Sequence, residues 1–209
     1  MDAFLLFVLS SPSGAGKTTL TRKIQQNLPD LRFSVSHTTR TPRANEVDGR
    51  DYHFIDRPTF DRKVAEGAFL EWAEVHGNLY GTGISEIESA RRAPGCSGMI
   101  FDIDYQGARQ IRAKQPHVVS VFLLPPSMEE LLARLRGRAS ETEEVVQRRF
   151  EVAQREIEHY GFFDYLIVND DREVAFDHLR AVILAERCKR WRKAGLAETL
   201  LRKGTLDGP

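Results

Sequence analysis

The chain has 209 residues, 41% of them hydrophobic and 29% charged, enough to bury a sizeable core as one domain with an insertion or as two small domains. Thirty basic residues balance thirty acidic ones, so no net field recruits nucleic acid or an anionic membrane. The two cysteines, Cys96 and Cys188, lie far apart without metal-ligand spacing and read as unpaired thiols of a reducing compartment.

The first element in chain order is the apolar run Phe4–Leu9, which has the length of a buried strand. It has no basic residue before it and is too short for the apolar centre of a signal peptide. No run approaches a membrane span, so the chain is expected to stay in the cytoplasm. The loop Ser11-Pro12-Ser13-Gly14-Ala15-Gly16-Lys17-Thr18 follows, and then a helical stretch, TTLTRKIQQNL. The phosphate-loop pattern GxxxxGK[ST] is met at Gly16, Lys17 and Thr18, but Ser11 stands where the first glycine belongs. In such a loop, successive backbone N–H groups cradle a β-phosphate at a helix N-terminus. Lys17 would reach the β- and γ-phosphates of a nucleotide, and the Thr18 hydroxyl would bind Mg²⁺.

From about Arg32 to Pro94 the strands are short and mixed in polarity (RFSVSHTT, DYHFI, FLEWAEVHG), with one helix near Thr59–Glu66. This texture predicts a small mixed α/β insertion over residues 34–94, carried by a core of residues 1–33 and 95–209. Further buried strands are expected at Met99–Ile103, Val118–Leu124 and Tyr165–Val168. Strands of this kind alternating with helices point to a parallel sheet covered on both faces. Ser127 to Glu130 has the form of a capping box. Val146, Phe150, Ala153 and Ile157 form one helical stripe, and Phe176, Leu179 and Ile183 another. The polar link Arg136–Glu144 joins two of these helices, and the basic C-terminal helix reads as a solvated face. The sequence DYQG, Asp104 to Gly107, imitates the DxxG of switch GTPases, but no N-K-x-D follows to hold guanine.

The block Ser34–Ile55, SVSHTTRTPRANEVDGRDYHFI, sets Thr39-Arg40, Arg43, Glu46, Gly49, Tyr52 and Phe54 at fixed intervals. This spacing resembles the guanylate kinase signature. FLEWAEVHGNLYGT, FDIDYQGA, LRGRASETEE and LIVNDD resemble further blocks of that family in order, and the family tolerates a small residue at Ser11. The resemblance implies a P-loop core with a central parallel five-stranded sheet flanked by helices, a GMP-binding insertion and a mobile lid at about residues 134–150. It also implies transfer of the γ-phosphoryl group of ATP to GMP, with Mg²⁺ bound alongside ATP and no organic cofactor.

By similarity, Arg40, Arg43, Tyr52 and Tyr80 hold the GMP phosphate, which two guanidinium forks and two phenol hydroxyls suit chemically. Glu71 would accept N1–H and N2–H₂ of guanine, with Ser36 and Thr82 as further base-binding hydroxyls. Asp104 is assigned mainly to GMP and Asp102 to a water or Mg²⁺ network. Asn169 and Asp170 fall near adenine. The acceptor is already an anionic phosphate oxygen, so no general base is needed and the candidate catalytic residues are cations: Lys17, Arg43, Arg138 and Arg149. Arg134, Arg136 and Arg148 read as structural or steering, and His37 as structural. A non-catalytic scaffold module is disfavoured by the intact loop and by Ser36. A kinase for a phosphorylated sugar is disfavoured by Glu71 with Ser36 and Thr82. The sequence leaves the oligomeric state open.

Overall fold

The computed structural model describes residues 4–75, 77–137 and 142–206. Five strands, β1 (Leu5–Ser10), β2 (Leu31–Phe33), β7 (Gly98–Asp102), β8 (Val119–Leu124) and β9 (Tyr165–Val168), form a sheet in the order β2-β7-β1-β8-β9. Every pairing in it is parallel. Successive side chains of β1 go to opposite faces. Leu5, Phe7 and Leu9 pack with Leu20 and Ile24 of α1 (Lys17–Asn27) and with Leu179 and Ile183 of α7 (Arg172–Arg187). Leu6 and Val8 pack on the other face with Ile87 of α3 (Ile84–Arg92) and Ile111 of α4 (Tyr105–Lys114). The continuous apolar run at the start of the chain is thus the central strand of a sheet with two covered faces.

A second, four-stranded sheet contains β3 (His37–Thr38), β4 (His53–Phe54), β5 (Phe69–Val75) and β6 (Asn78–Gly83), ordered β4-β3-β6-β5. It is mixed: β3 runs parallel to β4, whereas β6 runs antiparallel to both β3 and β5. Helix α2 (Arg57–Ala65), capped by Asp56, buries Phe60 against Phe69 and Leu79 of this sheet. The stretch RFSVSHTT does not form one strand. Its first part, β2, pairs with β7 of the parallel sheet, and its second part, β3, belongs to the mixed sheet. Residues 34–94 also hold a second helix, α3, whose Ile87 and Ala90 are buried beside Leu6 and Phe101 of the parallel sheet.

Helices α5 (Met128–Arg136) and α6 (Glu143–Glu158) pack together through Leu131, Leu135, Val146 and Ala153. Ser127 Oγ accepts the Glu130 N–H at 3.0 Å, but the Glu130 carboxylate turns to Arg134 at 2.8 Å, so only half of the expected capping box forms. Helix α8 (Arg190–Lys203) is not wholly a solvated face: Arg192 is buried and donates to the carbonyls of Phe4 and His117. Its leucines 196, 200 and 201 are exposed. Both cysteines are free thiols. Among the described residues no helix is long and apolar enough to cross a membrane.

Candidate active site

The loop between β1 and α1 turns at Gly14 and Gly16, both in the left-handed region with φ of 95° and 94°. That conformation strains any residue with a Cβ. At Gly16 an added Cβ would also run into Asn169 Nδ2, so the asparagine side chain would have to move. Asn169 is buried just beyond β9 and donates from Nδ2 to the Ala15 carbonyl at 2.6 Å. Its side chain therefore braces the loop from beneath, while Asp170 is exposed. Ser11 is buried, with its hydroxyl turned to the Pro12 carbonyl at 3.1 Å, so a small residue fits the loop entry. Thr18 is exposed at the start of α1.

Strand β7 ends beside the loop. Asp102 Oδ1 lies 2.5 Å from Lys17 Nζ, which also donates to the Ile103 carbonyl at 3.3 Å. Asp104 caps α4, accepting the Gly107 N–H at 2.9 Å. Helix α6 reaches the loop from the other side. Arg149 Nη2 donates to Ser13 Oγ at 2.8 Å, and the Ser13 N–H points to Glu156 Oε2 at 3.3 Å. Glu156 was not among the residues expected from sequence. Arg138 lies outside the described residues.

Glu71 sits on β5 and is only 3% exposed, whereas its neighbour Trp72 is 41% exposed. Simple alternation does not hold here, because the pairing of β5 with β6 slips between Phe69 and Glu71 and three successive side chains become buried. Such an irregularity re-aims a side chain. Thr82 Oγ1 donates to Glu71 Oε1 at 2.6 Å, and Ser36 Oγ lies 3.2 Å from Thr82 Oγ1. The core brackets this carboxylate. Gln110 of α4 bonds both the N–H and the carbonyl of Trp72. Gly107 approaches so closely that a Cβ there would lie 2.7 Å from Glu71 Oε2. Burial pushes the Glu71 carboxyl up to about 7, against the pull of the Thr82 hydroxyl, and the Asp104 charge adds to the rise.

The remaining expected acceptor residues cluster on the mixed sheet and its loops. Both Glu46 carboxylate oxygens accept from Arg40 Nη2, at 2.7 and 2.9 Å, and Oε2 also accepts the Arg43 N–H at 2.8 Å. Glu46 thus holds Arg40 and the backbone of Arg43 together, and these bonds with the Arg40 charge keep its carboxyl below the ordinary range. Arg40 lies over the Tyr52 ring, and the Tyr52 and Tyr80 rings meet edge to face at 5.9 Å. One cation, Arg40, and two phenols therefore share one patch, donors suited to a phosphate dianion, and Arg43 is tied to it through its backbone N–H. His37, beneath it, packs on His53 and Phe69 and is held down to about 4, chiefly by burial and then by the nearby charges of His53 and Lys63.

A phosphate loop on a parallel α/β sheet, facing a mixed sheet with a buried carboxylate and an arginine–tyrosine patch, defines a P-loop nucleotide-binding enzyme. The family model for guanylate kinase matches residues 5–186. The guanylate kinase of Myxococcus xanthus is 51% identical over 189 residues, covering 90% of both chains. That of Rhodopseudomonas palustris strain HaA2 is 50% identical, covering 92% of this chain and 87% of its own. The crystal structure of guanylate kinase from Anaplasma phagocytophilum superposes with a TM-score of 0.77 at 34% identity, covering 99% of this chain and 98% of that one. The chain belongs to the guanylate kinase family.

Proposed function

We propose that the protein transfers the γ-phosphoryl group of ATP to GMP, giving ADP and GDP, and so supplies guanine nucleotides from GMP. The observation that carries this reading is the buried Glu71–Thr82–Ser36 chain, an acceptor flanked by hydroxyls, on the sheet facing an intact phosphate loop. Guanine offers N1–H and N2–H₂ as adjacent donors, which one carboxylate can accept together. Adenine offers an acceptor at N1 and meets repulsion.

In this mechanism Arg40, Arg43, Tyr52 and Tyr80 hold the GMP phosphate. Glu46 fixes the Arg40 fork and so prepays part of its ordering. The loop from Ser11 to Thr18 holds the ATP phosphates. Lys17, Arg43, Arg149 and Arg138 neutralise charge on the transferring group, and Asp104 stiffens the start of α4 beside the base. Mg²⁺ suits the hard oxygen donors here: the Thr18 hydroxyl and the Asp102 carboxylate would hold it, with phosphate oxygens and water completing its shell. When bound, the ion supplies charge neutralisation across the phosphates. Exclusion of water by α6 and the segment before it would protect ATP from hydrolysis.

A coupled assay of ADP release with Mg²⁺ and ATP tests the reading, with GMP, AMP, CMP, UMP and ribose bisphosphate as acceptors. GMP should be phosphorylated at least about a hundredfold more efficiently than the others, as the donor–acceptor match requires. Preference for another acceptor, or no acceptor-dependent ADP at all, would end it.

A further inference from the structure

Ser13 is gripped twice by one face of α6. Its N–H meets Glu156 Oε2 at 3.3 Å, and its hydroxyl accepts from Arg149 at 2.8 Å. Residues 149 and 156 are two helical turns apart, so the same face lays a cation and a carboxylate on the phosphate loop. The carboxylate is the surprising member. Backbone N–H groups and Lys17 are arranged in this loop for phosphate, and an anion already there competes with it. Glu156 is half-buried, and burial raises its carboxyl above the ordinary range, with Asp104 adding to the rise. The Ser13 N–H and the Lys17 charge pull it back down. Those two opposing influences are the ones a phosphate oxygen would feel in the same place.

We infer that Glu156 is a stand-in anion: it takes the Ser13 N–H of the phosphate loop, and it yields that donor when a di- or triphosphate arrives. One movement of α6 then exchanges both contacts, removing the carboxylate and presenting Arg149 to the phosphates. Glu156 is a positioning residue, acting through Ser13 and bonding no substrate. The inference rests on the reading of this loop as the ATP site.

Equilibrium calorimetry on wild type, Glu156→Gln and Glu156→Ala tests it, with MgATP and then magnesium pyrophosphate titrated at fixed ionic strength near pH 7.5. Removing a like charge beside the phosphates should tighten both ligands on the order of tenfold in both variants. A purely structural glutamate predicts that Gln behaves as wild type and Ala binds more weakly. Unchanged or weakened binding in the Gln variant overturns the proposal. A second measurement needs no variant: the assigned ¹³C carboxyl resonance of Glu156 should move when pyrophosphate saturates wild type, and a stationary resonance also overturns it. GMP-dependent ADP release by wild type is followed in parallel. Its absence would count against phosphotransfer to GMP while leaving the binding comparison intact.

Discussion

Lys17 and Asp102 face each other at the C-terminal end of the parallel sheet, with Nζ and Oδ1 2.5 Å apart. The pair parks the loop lysine on the strand that leads to Asp104 and α4. In the proposed reaction the ATP phosphates would draw the ammonium away or share it, which would put Lys17 on the donor side of the site. Lys17→Ala should lower kcat about a hundred- to a thousandfold, the scale of losing one transition-state charge contact. GMP affinity, measured by calorimetry without ATP, should stay within about twofold. Loss of GMP binding instead would mean that donor and acceptor sites are not separate.

Gly107 makes a sharper claim about the acceptor side. Its helical backbone tolerates alanine, which by propensity alone would favour α4 by about 1 kcal/mol. The new Cβ, however, would sit 2.7 Å from Glu71 Oε2 and 3.1 Å from its Cδ. Gly107→Ala should therefore raise KM for GMP on the order of tenfold through displacement of that carboxylate, while KM for ATP stays put. Equal changes in both constants would detach Gly107 from the base site.

Buried Glu71 and half-buried His37 give stability opposing pH dependences. The Glu71 carboxyl titrates near 7 in the folded chain and near 4.5 when unfolded. Between those values the folded state keeps a proton that the unfolded state has released, so stability falls as pH rises, by about 3 kcal/mol in all at this shift. His37 behaves in the reverse sense. Its folded value of about 4 lies below its unfolded 6.5, so stability is lost as pH falls through that window. The windows overlap, and wild type should look flat between them. Urea midpoints from pH 4 to 8 should rise with pH in Glu71→Gln and fall with pH in His37→Gln. Curves parallel to wild type would contradict both assignments.

In the proposed reaction the donor and acceptor sites lie on separate sheets, so the phosphates would be brought together by closure of the mixed sheet over the loop. Fluorescent labels on exposed Arg62 of α2 and exposed Arg180 of α7 should approach by several ångströms, roughly the scale of a hinge motion, when GMP and a non-hydrolysable ATP analogue bind. An unchanged transfer efficiency would argue for a preformed site.

The elements of the parallel sheet were readable because burial on both faces leaves an unbroken apolar signature. The run predicted at Tyr165–Val168 is β9 to the residue, and that at Phe4–Leu9 is β1 shifted by one. The stripes through Val146 and Phe176 face the clusters that their spacing demanded. The mixed sheet was less legible. Its strands β3 and β4 have two residues each, too short for any periodicity to register. Alternation would have turned Glu71 outward, and only the slipped pairing with β6 reverses it. Asn169 is expected near adenine, and its side-chain N–H₂ also reaches back across the chain to Ala15, a contact no local pattern encodes. Glu156 escaped notice for a similar reason. A glutamate beside an apolar stripe reads as solvated until the loop packed against it is known. The seven-residue interval from Arg149 was the one available clue.

The central claim is that Glu71 reads guanine. Glu71→Gln keeps the shape but places N–H₂ where an acceptor is required. The loss of a charge-assisted bond, about 1.5–3 kcal/mol, corresponds to roughly ten- to a hundredfold in kcat/KM for GMP. Adenine N1 is repelled by the carboxylate, so kcat/KM for AMP should hold or rise. The decisive measurement is the ratio of kcat/KM for GMP to that for AMP, compared between wild type and this variant. A fall of about tenfold or more is the predicted result, and an unchanged ratio would contradict the account.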